Sequence, residues 1–166
     1  TAAKAAHAVN DAFDAVWRSA GTLATIHIAD GTYFLSAERV RGTPCHLLGA
    51  GRDATVLNGG TLSAAYRGVS ITAAGSIVRD LTITGCTNIL AGSGIYMTAG
   101  TADTVRVSFN RGNKYNLEYG AGIYMTGGIV TNSLIDGNSS DSGYGGMSGV
   151  GVYMSGGLLT DSEIAN

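Results

Sequence analysis

The chain has 166 residues, a formal charge of −2 and 45% hydrophobic residues: enough for one folded domain, with no electrostatic basis for holding nucleic acid or inserting into a membrane. Charged residues make up only 13%, with lysine confined to Lys4 and Lys114, so the surface has to be built from Ser, Thr, Asn, Gly and Tyr. Its 26 glycines against one proline suit many tight turns between short strands, and no apolar run reaches the length of a membrane span. No signal peptide is visible, so any leader is expected to lie outside this chain.

From the N-terminus, Val9, Phe13, Val16 and Ala20 fall at helical spacing, with Asn10, Asp11, Asp14 and Arg18 on the other faces and Gly21 as the stop signal. The spacing predicts an amphipathic helix over 1–20, placed to cap the open end of the domain that follows at 21–166.

Beyond it the chain repeats. The unit Gly-x-Gly-[Ile/Val]-Tyr-Met stands at 92–97, 120–125 and 149–154, with steps of 28 (92 to 120) and 29 (120 to 149). A hydrophobic unit at such a period cannot bury its own face and has to stack on copies of itself. Alternation of period two, β-branched enrichment and glycine punctuation make the stacked pieces strands, not helices. The expected fold is all-β: a parallel β-helix of about six coils.

Two columns run through it. One takes the in-out-in triplets Ile26-His27-Ile28, Cys45-His46-Leu47, Ile71-Thr72-Ala73, Ile95-Tyr96-Met97, Ile123-Tyr124-Met125 and Val152-Tyr153-Met154. The other takes Leu57, Ile83, Val107, Ile135 and Ile164. From Cys45 and from Leu57 onward the steps agree, at 26, 24, 28 and 29 residues. Thr131, Ser133 and Ser162 are expected where the cross-section narrows. Asn110 and Asn138, three residues after the second column, are expected to stack and bond to each other and to backbone. Cys45 and Cys86 read as buried small hydrophobes, not a disulfide. The last coil stops at Asn166, one residue short of the next asparagine position, so the expectation is that further coils or another subunit complete that edge.

Outward positions of the first column form the stripe His27, His46, Thr72, Tyr96, Tyr124, Tyr153. With rungs about 4.8 Å apart the tyrosines should form an aromatic ladder, structural in the first reading and a contact for glycan or protein in the second. His27 and His46 would lie side by side, two ligands of a metal with no third in view. The insertions at 111–119 and 139–148 share one edge and carry Arg111, Lys114, Tyr115, Tyr119 and Tyr144 as further candidate ligand-binding residues. Glu118 and Asp141 are the only inter-loop carboxylate pair suited to acid–base catalysis, against a plainer reading as solvated loops. Asp136 and Glu163 point outward without a partner at matching height, and no cofactor is implied.

The runs AVNDAFDAVWRSAGTLATIHIADGTYFLS and HLLGAGRDATVLNGG resemble the opening of pectin-lyase-like right-handed parallel β-helix proteins. The later GIYMTGGIVTNSLIDGN is similar to repeats of bacterial secreted, polymorphic outer-membrane and autotransporter β-helices. That resemblance implies the fold, but the fold hosts lyases, hydrolases, epimerases and inert stalks alike. The catalytic segments of the galacturonase, alginate-epimerase and pectate-lyase kinds do not occur in this sequence. The leading expectation is a non-catalytic extracellular scaffold of a bacterial surface, adhesin or filament protein, secreted or at the cell surface, self-associating through its open coil. The alternatives are a fragment of a polysaccharide lyase or hydrolase, and a glycan-binding module using the tyrosine ladder.

Overall fold

The computed structural model describes residues 23–36, 44–60, 66–88, 91–112, 119–140 and 149–165. The helix expected over 1–20 lies outside the described residues. These form a parallel β-solenoid of about four turns, with no helix among them.

Its walls are four parallel sheets. The first takes Ala24–His27, Cys45–Leu48, Ile77–Arg79, Thr101–Asp103, Ile129–Thr131 and Leu158–Thr160. The second takes Gly31–Phe34, Thr55–Asn58, Thr82–Thr84, Arg106–Ser108, Leu134–Asp136 and Glu163–Ala165. Val69–Ile71, Ile95–Met97, Ile123–Met125 and Val152–Met154 make the third, and Thr87–Asn88, Arg111–Gly112 and Ser139–Ser140 the fourth. The expected six coils therefore appear as six strands on two faces only.

Strands this short are held by what they stack inward. Ile26, Leu47, Val78, Ala102, Val130 and Leu159 stand level on the first sheet. Tyr33, Leu57, Ile83, Val107, Ile135 and Ile164 do so on the second, which contains the whole Leu57-to-Ile164 column expected from the sequence. On the third sheet the buried-outward-buried alternation sends Ile95 and Met97, then Ile123 and Met125, into the core. Each fully buried Leu, Ile or Met contributes about 1.5–3 kcal/mol of burial, so the core comes from stacking and not from any one turn.

Between the first and second sheets the chain turns on one left-handed residue: Asp80, Thr104, Asn132 and Asp161, at φ 57, 52, 51 and 48°. Asp and Asn tolerate that conformation, whereas β-branched Thr104 is the strained member and donates its hydroxyl to Asp103 Oδ1 at 3.0 Å. The next residue points inward and shrinks along the solenoid, from Leu81 and Val105 to Ser133 and Ser162. Ser133 Oγ receives Val105 N–H at 3.2 Å, and Ser162 Oγ receives Ser133 N–H at 3.1 Å, so these two serines close the corner, whereas Thr131 is half-buried on the first sheet, level with Asp103 and Thr160.

The first column needs correction. Its opening triplets belong to the first sheet and its tyrosine triplets to the third, so Ile26 and Cys45 never stack in line with Ile95. The insertion at 49–54 causes the confusion. It lengthens the step between the first two sheets, and is pinned where Gly49 N–H donates to Arg79 O (3.0 Å) and Gly51 N–H to Asp80 O (3.0 Å). In later turns residues 80–81 suffice for the same step.

Candidate functional site

The third sheet carries the outward tyrosines. Tyr96, Tyr124 and Tyr153 are level in register and half-buried. Tyr96 and Tyr124 stack at 5.5 Å with planes 2° apart, and Tyr124 and Tyr153 at 5.2 Å and 9°. The expected ladder forms, each pair contributing about 0.5–1.5 kcal/mol beyond its burial. Because the rings face one another along the solenoid, the column turns ring edges, not open faces, away from the wall.

Its lower end corrects the sequence reading. Ser70, not Thr72, is level with Tyr96. With no ring in that rung, the Arg67 guanidinium lies over Tyr96, its carbon 4.3 Å from the ring centroid, while Arg67 Nε donates to Ala91 O at 2.6 Å. Sequence reasoning missed Arg67 because it precedes the strand; the available signal was an arginine just ahead of the one third-sheet strand that lacks the tyrosine. At the other end Tyr119 stacks on Tyr153 at 4.3 Å and 27°.

The remaining candidates are scattered. His46 is level with Thr25, and His27 with Leu48, so the two imidazoles sit diagonally on the first sheet and not side by side. His46 Nε2 lies 3.2 Å from Gly75 O. Among the described residues no three His, Cys, Asp or Glu side chains come together as a metal would require. Arg111 is exposed on the fourth sheet, level with Thr87 and Ser139. Lys114, Tyr115, Glu118, Asp141 and Tyr144 lie outside the described residues.

Asp136, expected to stand alone, is paired. Arg106 Nε donates to its Oδ1 at 3.0 Å and Arg106 Nη2 to its Oδ2 at 2.6 Å, a bidentate clasp that reaches diagonally to the next turn. That hydrogen bonding, foremost, raises the Arg106 pKa.

The asparagines behave as expected. Asn110 and Asn138 are buried, and Asn138 Oδ1 receives both Asn110 N–H (3.0 Å) and Asn110 Nδ2 (3.1 Å). Asn110 Nδ2 also donates to Ile83 O at 3.1 Å, and Asn138 Nδ2 to Val107 O at 2.8 Å. Asn138-Ser139-Ser140 fits the N-glycosylation acceptor pattern, yet its amide is committed to this ladder inside the wall.

Cys86 occupies the ladder position one turn earlier, where its N–H donates to Asn110 Oδ1 at 3.0 Å. Both cysteines are free and buried, and burial pushes the thiols up, Cys45 to about 11 and Cys86 to about 12. A raised acid pKa in the folded chain means deprotonation favours unfolding. The Cys86 contribution is therefore whole below pH 9.0 and lost as pH climbs toward about 12. At the upper limit that loss is on the order of 4 kcal/mol. Urea melts across this range should show the unaltered chain losing stability more steeply than Cys86→Ala; parallel curves would refute it.

No protein-family model, no curated protein and no solved structure matches the chain. What its residues build is a parallel β-solenoid scaffold.

Proposed function

We propose that the chain is a non-catalytic structural segment of an extracellular bacterial surface, adhesin or filament protein, in which stacked coils serve display or assembly. The observation that carries this reading is the uniform register. From the turn at 69–88 onward, successive turns repeat the same faces, corners and side-chain ladders, so one turn is a template for the next. The ion pair, the serine corner and the asparagine ladder all spend their polar groups on holding turns together. The same reading takes the solenoid as right-handed and pectin-lyase-like, with six coils and a capping helix over 1–20.

Self-association along the axis belongs to it. Met154 and Ile164 are 49% and 52% exposed, while their equivalents one turn earlier, Met125 and Ile135, are fully covered. A further coil stacked there, from a second copy or from the same protein, would bury them and pair that strand edge. Light scattering with negative-stain images of the purified chain tests the proposal. Rods lengthening with concentration are the expected result. A monodisperse monomer, or release of unsaturated products from acidic polysaccharides, would overturn it.

A further inference from the structure

We infer that Tyr119 and Tyr153 form an oxidative crosslinking site, where a one-electron oxidant of the peroxidase class joins the two phenol rings and ties neighbouring turns covalently. The two rings are the closest aromatic pair among the described residues, with centroids 4.3 Å apart. Tyr153 is held on the third sheet against Tyr124. Tyr119 comes from the connecting segment and is 38% exposed, so a large oxidant can reach it.

The tilt matters as much as the distance. Tyr96, Tyr124 and Tyr153 are nearly parallel and anchored on adjacent strands, with ring centroids 5.5 and 5.2 Å apart. Tyr119 breaks that pattern: its ring is inclined by 27° and its centroid is only 4.3 Å from that of Tyr153. Three competing groups among the described residues are shielded. Cys45 and Cys86 are buried, and the buried Tyr33 has its hydroxyl donated to Ala29 O (3.2 Å) and Asp30 O (3.3 Å).

The chemistry balances with hydrogen peroxide as the terminal oxidant. Each phenol gives up one electron and its hydroxyl proton. The two radicals pair their electrons in a carbon–carbon bond between positions ortho to oxygen, and the hydrogens on those carbons then move to the oxygens to restore both phenols. Two electrons and two protons reduce one peroxide to two waters, and the chain ends two hydrogens lighter.

The test is to treat the dilute full chain with a peroxidase and limiting peroxide, then read dityrosine fluorescence, intact mass and the linked peptides. The expected product is a monomer lacking two hydrogens, with Tyr119 joined to Tyr153 and a raised thermal midpoint. Oxidation of exposed Met154 adds oxygen instead, so mass separates the two events. Tyr119→Phe, which keeps the ring, should lose most of the fluorescence, whereas Tyr96→Phe should retain it. Absence of the link, a link mapped to other tyrosines, covalent dimers alone, or full signal in Tyr119→Phe would each overturn the assignment.

Discussion

Asn110→Ala is expected to destabilise the chain by about 3–5 kcal/mol, among the largest single-residue effects in the solenoid. The side chain is fully buried and serves three partners: it receives Cys86 N–H, and donates to Ile83 O and to Asn138 Oδ1. Alanine leaves Cys86 N–H a buried orphan, at about 1–3 kcal/mol, removes one donor each from Ile83 O and Asn138 Oδ1, which keep their backbone partners, and opens a cavity. Asn110→Asp separates hydrogen bonding from shape. It keeps an acceptor for Cys86 but cannot donate to Ile83 O when ionised, and it buries a charge. Its stability should therefore recover as acid protonates the carboxyl. Urea midpoints at neutral and acid pH measure both variants; a loss below about 1 kcal/mol for alanine would contradict the ladder's importance.

The second large effect concerns the repeated Gly-x-Gly. Its first glycines, Gly92, Gly120 and Gly149, hold φ of 73, 65 and 62°. The second glycine is needed for a different reason. A methyl group at Gly122 would meet the carbonyl oxygen of Gly151 on the next turn and, at 2.8 Å, the amide nitrogen of Asn138. Backbone on one side and the ladder on the other leave nowhere to move, so Gly122→Ala should cost about 2–4 kcal/mol and loosen two turns together. Gly75→Ala is the matched control: its φ is 81°, yet open space surrounds it, so it should carry only the left-handed penalty of about 1–2 kcal/mol. Equal losses at the two sites would show that crowding is not what the motif avoids.

The parts of this fold legible in the sequence are those that repeat at one level. The Leu57-to-Ile164 column, the tyrosine ladder and the paired asparagines each recur at fixed spacing, because each coil places them at one point of its circuit. The error in the first column has a physical origin. Cys45 precedes Leu57 by twelve residues, and Ile71 precedes Ile83 by twelve, but the first interval contains the 49–54 insertion and the second a whole third-to-second-sheet passage. Equal length concealed different paths. Contacts that cross between levels were also hidden: Arg106 meets Asp136 diagonally, and Arg67 reaches Tyr96 from outside its strand. The insertions bearing Lys114, Glu118 and Asp141 have no repeat to constrain them.

Among the described residues, the bonds in which a backbone N–H reaches a side chain of another turn all run in one sense, although the Asn110 and Asn138 amides also donate back to Ile83 O and Val107 O. Cys86 N–H waits for Asn110, Asn110 N–H for Asn138, Val105 N–H for Ser133, Ser133 N–H for Ser162, and Cys45 N–H for Ser76. In every case the earlier turn supplies the donor and the later turn the acceptor. Each circuit thus stays incomplete until its successor arrives, and none depends on these bonds from its predecessor. A chain emerging from the ribosome N-terminus first would consolidate like a zipper closing in the direction of synthesis, each new circuit locking the one already made.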